Sequence, residues 1–180
     1  WANYEYDYYF HGIKDAAEYL KNVVGNQHTS IVMNCNLENY FDDHSNISID
    51  YSRYLERSSK KWDYGIFGVN YIHPFMLKND NWKSSEIIKT FYHKGNPLVV
   101  ILKRNSLTGY DGINEIEKGN YSEGKKLLYQ AIHDDSKNIW LHVQLAKANL
   151  ITDNKNEFYE NLEEGRNIYP YYEPFFMLEA

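Results

Sequence analysis

The chain is poor in the features that would classify it at once. It has one cysteine, Cys35, in 180 residues, which excludes an internal disulfide and a cysteine-built zinc site. Long apolar runs are missing: the longest, from Leu98 to Leu102, has five residues, where a membrane-crossing helix needs roughly twenty. Positive charge is in deficit, with 19 Lys and Arg against 25 Asp and Glu and a net charge of −6. An acidic chain without a basic stripe repels phosphate backbones, so no nucleic-acid partner is expected. The catalytic signatures GxSxG, GxGxxG, the P-loop and HExxH are absent as well. The first residue is Trp1 rather than Met and nothing signal-like follows, which leads us to expect an excised or processed portion of a longer protein.

What is present is a globular composition, 43% hydrophobic and 24% charged, which excludes wholesale disorder. The length has room for one ordinary domain or two small ones. Charge points to two. Residues 1–105 carry 12 acidic and 12 basic side chains, whereas residues 106–180 carry 13 acidic and 7 basic, so the whole excess lies in the second part.

In the first part, Ile13, Ala16, Ala17, Leu20, Val23 and Val24 recur at helical spacing and Gly25-Asn26 supplies a stop, predicting a helix over 12–24. Runs rich in β-branched and aromatic residues predict five strands, at 29–33, 47–51, 64–69, 87–93 and 98–103. The last two flank Lys94-Gly95-Asn96-Pro97 and read as an antiparallel hairpin. Residues 37–41 and 74–78 are expected to make short helical turns. The expected first domain, 1–105, is a small α/β layer with a mixed sheet of about five strands.

The second part, 106–180, repeats itself every 34 residues. Gly112, Ala146 and Ala180 form one series; Leu128 and Leu162, Ala131 and Gly165, and Ser136 and Pro170 form others. Small residues recur where antiparallel helices must approach closely, so a helical-hairpin array is expected. The stretch Lys118-Gly119-Asn120-Tyr121-Ser122-Glu123-Gly124 through Ala131-Ile132 resembles the middle of a tetratricopeptide repeat, with Gly119 at the inter-helix turn and Tyr121 opening the second helix. The next unit, Trp140 to Pro170, departs from the pattern: Asp153 stands where the turn glycine belongs, and Phe158 replaces a small helix residue. Residues 171–180 would form a capping helix over the open edge. The overall expectation is an α+β chain, the α/β layer being followed by a tetratricopeptide-like helical array whose units brace their neighbour or offer a groove to a protein partner.

A second resemblance runs through nearly the whole chain. It is carried by Asn3-Tyr4-Glu5-Tyr6-Asp7-Tyr8-Tyr9, Lys14-Asp15-Ala16-Ala17-Glu18-Tyr19-Leu20, Tyr51-Ser52-Arg53-Tyr54, Trp62-Asp63-Tyr64-Gly65-Ile66-Phe67-Gly68, Asn70-Tyr71-Ile72, Gly95-Asn96-Pro97-Leu98 and Leu102-Lys103-Arg104. Their order is similar to that of the soluble tail following the membrane helices of bacterial glycosyltransferases like the dolichyl-phosphate-mannose protein mannosyltransferases. The resemblance implies a parent enzyme using a polyprenyl-phosphate sugar, with its catalytic carboxylates in a loop among membrane helices absent from these residues. It therefore implies a non-catalytic, extracytoplasmic (periplasmic) domain without a cofactor, tethered by upstream membrane helices and partnered by the membrane-embedded part of the same chain. Two other readings stand beside it: an autonomous tetratricopeptide interaction scaffold, and a carbohydrate-binding module using Trp62, Trp82 and nearby tyrosines.

Site chemistry is thin. Asp42-Asp43-His44 is better read as a solvated turn than as a metal site, since adjacent residues rarely converge on one ion. His11, His28, His73, His93, His133 and His142 are scattered, and Cys35 reads as a small buried residue rather than a nucleophile. The candidate contact for an anion or a sugar is the run of Arg53, Arg57, Lys60, Lys61 and Trp62, in which cations alternate with Tyr51 and Tyr54. Its plainer reading is a solvated connection with inward rings. The tyrosines of 1–10 suit either a membrane interface or an edge strand.

Overall fold

The computed structural model describes residues 11–35 and 38–179. The aromatic entrance at 1–10, Leu37 of the first expected turn and Ala180 of the repeat series lie outside them. No helix among the described residues is long and apolar enough to cross a membrane. The chain divides into two compact units.

In the α/β unit, helix α1 (His11–Val24) buries Ile13, Ala16, Ala17, Leu20 and Val24, while Val23, also expected in this stripe, is exposed. It stops at Gly25, whose φ of +54° is left-handed backbone that glycine adopts without strain. Strands β1 (Thr29–Met33), β2 (Ile47–Tyr51), β3 (Tyr64–Gly68), β4 (Ile87–His93) and β5 (Asn96–Lys103) form one mixed sheet of order β2-β1-β3-β5-β4. Strands β1, β2 and β3 run parallel, and β5 pairs antiparallel with both β3 and β4. Lys94 and Gly95, at φ +48° and +82°, form the tight connection between β4 and β5, whose hand suits a two-residue hairpin. Strand β5 accordingly starts at Asn96, and Pro97 sits within it opposite Tyr92.

Alternation along the strands divides the core. Ile31, Met33, Ile66, Val99 and Ile101 face α1 in one apolar cluster. Their neighbours Val32, Phe67, Val100 and Leu102 are equally buried on the other side. There the Tyr54 ring meets Phe67 edge to face, centroids 5.2 Å apart.

The helical unit consists of α2 (Pro74–Lys78), α3 (Thr108–Glu117), α4 (Tyr121–Asp134), α5 (Ile139–Ile151), α6 (Lys155–Ile168) and α7 (Glu173–Glu179). Pro74–Ser85 belongs to it together with Ser106–Ala180, so the division after Asn105 stands but the first expected domain, 1–105, loses this segment. The cause is specific docking: Phe75 packs on Tyr169 and Tyr171, the Asn81 amide donates to the Ile168 carbonyl at 2.7 Å, and the Ser84 hydroxyl donates to Asp135 at 2.9 Å.

Helices α3 and α4 pack as one pair and α5 and α6 as the next, around Ile113, Ile116, Leu128, Ala131, Leu141, Leu145 and Ala148. The 34-residue spacing recurs in the backbone bonds. Gly119 N–H donates to Ile116 and Asn120 N–H to Glu115; one interval later Asp153 donates to Leu150 and Asn154 to Asn149. These are two copies of the paired 5→2 and 6→1 bonds that end a helix through a left-handed residue. Gly119 has φ +85°, and Asp153 accepts φ +53° at the matching place. At Asp153, where the turn glycine is replaced, the helix end keeps the same bonds.

Close approach depends on small residues. A methyl added at Gly112 would stand 3.0 Å from the Leu128 side chain, and one at Gly124 2.6 Å from Ile116. Ala146 is wholly enclosed, whereas Lys155 is exposed. Thermal melts of Ala146→Leu and Lys155→Ala should therefore diverge, the first losing about 1–3 kcal/mol through overpacking and the second staying within about 0.5 kcal/mol of the parent. Equal melting temperatures would contradict the packing register.

Candidate site at the carboxyl edge of the parallel strands

Three parallel strands end at Met33, Tyr51 and Gly68, so the residues after them gather at one edge of the sheet. Ligands in open α/β sheets occupy the crevice outside this edge. Hydrogen bonding carries the sheet one step further there: Ser52 N–H donates to the Met33 carbonyl at 2.9 Å. The buried Asn34 side chain replaces a ladder pair, accepting from Gly68 N–H at 2.8 Å and donating to the Gly68 carbonyl at 3.1 Å. Beyond it opens a cleft of about 380 Å³, lined by Met33, Asn34, Cys35, Ile49, Asp50, Tyr51 and Tyr71. That volume lies within the range of small-molecule sites, about 300–1,000 Å³.

The lining combines apolar, polar and aromatic side chains. Tyr51 and Tyr71 are each 56% exposed, while Cys35 is buried. Asp50 pairs with Lys60 at 2.7 Å, and this hydrogen bond holds its carboxyl below the usual range. Burial, and then the nearby Cys35 and Tyr51, push the Tyr71 phenol up, so it stays protonated and able to donate. Tyr51, and then Glu56 at 3.4 Å, push the Arg53 guanidinium further up.

The run singled out in the sequence divides in two. Arg53, Lys60 and Lys61 lie at the surface, the first two beside the cleft through Tyr51 and Asp50. Arg57 and Trp62 lie inside, with side chains 1% and residue exposures 2% open to solvent respectively. The Arg57 guanidinium covers the Tyr54 ring at 4.8 Å, donates to the Tyr54 carbonyl at 3.1 Å and faces Glu86 at 3.7 Å. The Trp62 indole N–H donates to the Arg57 carbonyl at 2.7 Å, and Arg104 lies over the indole at 4.1 Å. Arg104 also donates to the carbonyls of Arg57 and Lys60, at 2.9 and 2.8 Å. These two predicted contacts are thus parts of the interior, with no face for a ligand. Trp82 is buried too, so of the rings expected to serve a sugar the two indoles are enclosed, whereas the nearby Tyr51 is exposed.

Comparison with protein-family models, curated proteins and solved structures finds no match.

The other sequence candidates resolve locally. His44 Nδ1 meets Asp43 at 2.8 Å and Lys21 meets the same carboxylate at 3.2 Å; these contacts, His44 first, depress the Asp43 carboxyl. No group of three His, Cys, Asp or Glu suited to a metal ion occurs among the described residues. His142 is buried between the Ser136 carbonyl at 3.2 Å and Glu164 at 3.5 Å, and burial lowers its pKa. Asp50 and Tyr71 were missed as site residues. Their signal is topological rather than local: each lies at or just past the end of a parallel strand.

Proposed function

We propose that the chain is the non-catalytic, extracytoplasmic C-terminal domain of a bacterial membrane-bound glycosyltransferase that uses a polyprenyl-phosphate sugar. In this reading it braces the membrane-embedded part of the same parent chain or presents a partner near the active site. The observation that supports the reading is where the phrases that carry the resemblance fall. Trp62-Asp63-Tyr64-Gly65-Ile66-Phe67-Gly68 contains all of β3 and the buried indole. Leu102-Lys103-Arg104 supplies the guanidinium stacked on that indole, while Tyr51-Ser52-Arg53-Tyr54 and Asn70-Tyr71-Ile72 border the cleft. These four phrases fall on the sheet and on one edge of it, and their grouping supports the reading.

The helical unit is read as a short tetratricopeptide-like array and as the surface for a protein partner. Its two matching helix ends, 34 residues apart, and its small residues at close approaches support this. Deleting the domain from the full-length protein should lower glycosyl transfer or disrupt complex formation, measured in membranes against the intact parent. Unchanged values for both would remove the proposed role.

A further inference from the structure

We propose that the cleft at the carboxyl edge of β1 and β2 binds a hexopyranose, its ring face laid against Tyr51 or Tyr71 and its hydroxyls bonded to Asp50. The inference goes beyond the domain role and does not rest on it, because the cleft is formed by the α/β unit alone.

The argument begins with charge. The cations beside the cleft are already matched: Lys60 holds Asp50 at 2.7 Å and Arg53 holds Glu56 at 3.4 Å. Two positive and two negative groups leave no net attraction for a phosphate, which would have to take Lys60 from a carboxylate it already neutralises. A purely hydrocarbon ligand fits no better, since it would cover an ionised carboxylate without offering it a hydrogen. The remaining class presents apolar faces and hydrogen-bonding edges together.

A pyranose does this. Its axial C–H groups form a flat apolar face suited to an aromatic ring, and its equatorial hydroxyls donate to carboxylates and accept from phenols. The two tyrosines expose more than half their surface at the mouth of a concavity, which gives the rings room to be covered. Asp50 is held ionised and accepts; Tyr71 is held protonated and donates. Met33 and Ile49 add apolar lining to the same cleft.

The test is a titration of the 180-residue chain followed by backbone amide NMR shifts, with D-mannose, D-glucose and N-acetyl-D-glucosamine as probes and inorganic pyrophosphate as the anionic control. At least one sugar should produce saturable shifts centred on Asn34, Cys35, Asp50, Tyr51 and Tyr71. Tyr71→Ala or Tyr51→Ala should weaken that binding about tenfold or more, while Tyr71→Phe, which keeps the ring and loses one hydrogen bond, weakens it less. Circular dichroism melts establish that each variant is folded, as expected for exposed rings. Absence of shifts with all three sugars overturns the proposal. So do shifts produced by pyrophosphate alone, or sugar binding indifferent to both alanine variants. Failure here leaves the deletion experiment on the full-length protein unaffected, and the converse also holds.

Discussion

Trp62→Ala should cost the α/β unit about 3–5 kcal/mol, enough to unfold a domain of ordinary marginal stability. The size follows from what the indole does in addition to filling space. Its N–H donates to the Arg57 carbonyl and its face carries the Arg104 guanidinium. Arg104 in turn bonds the carbonyls of Arg57 and Lys60, tying the end of β5 to the segment between β2 and β3. Truncation removes the platform for one cation and leaves a second, Arg57, in a cavity beside Glu86. Urea titration of Trp62→Ala and Trp62→Phe checks this: phenylalanine restores part of the volume and the cation–ring contact but no N–H, so it should fall between parent and alanine. An alanine variant within about 1 kcal/mol of the parent would show that the buried cluster contributes little.

The same cluster shows what the local sequence could and could not disclose. Strands 29–33, 47–51 and 87–93 are legible to the residue, because β-branched runs there end at turn-forming neighbours. Helix α1 is legible from its stripe. For the alternating cations and aromatics from Arg53 to Trp62 the sequence offers a ligand contact or, more plainly, a solvated connection with inward rings; nothing within ten residues discloses that Arg104 covers the indole. Pro97 misled for a different reason. A proline normally marks the end of a ladder, but the two-residue turn at Lys94-Gly95 places it inside β5 opposite Tyr92, where the register shifts. The grouping of Pro74–Ser85 with the helices depends on contacts to residues 49 to 87 positions away, which no periodicity encodes.

The cleft was invisible for a topological reason. Its lining comes from three segments, around Asn34, Asp50 and Tyr71, which meet only because β1 lies between β2 and β3 with all three parallel. The sequence predicts that five strands form a mixed sheet, and that is correct; it is silent on their order. Once the order is known, the carboxyl edge is the first place to look, and residues that seemed unrelated become one rim. Arg53 and Lys60 stand near that rim, but their paired charges turn the question from anion recognition toward neutral polar ligands.

In the helical unit the largest loss is expected for Phe175→Ala, about 3–5 kcal/mol, with Met177→Ala nearly silent. Both lie on the seven-residue helix α7, too short to persist without tertiary packing. Phe175 is fully enclosed. Its ring lies against Gly165 of α6, where even one added methyl would collide with it, and it meets Tyr172 edge to face at 5.8 Å. Met177 is 72% exposed. The glycine and the phenylalanine are therefore two halves of one fit: the absent side chain at 165 makes the space that the ring at 175 fills. Gly165→Ala should destabilise by the reverse route, by pushing the ring out, and combining it with Phe175→Ala should cost less than the sum of the single changes. Additive losses would mean that the residues do not share a cavity, and equal effects of Phe175→Ala and Met177→Ala would place the anchor of α7 elsewhere.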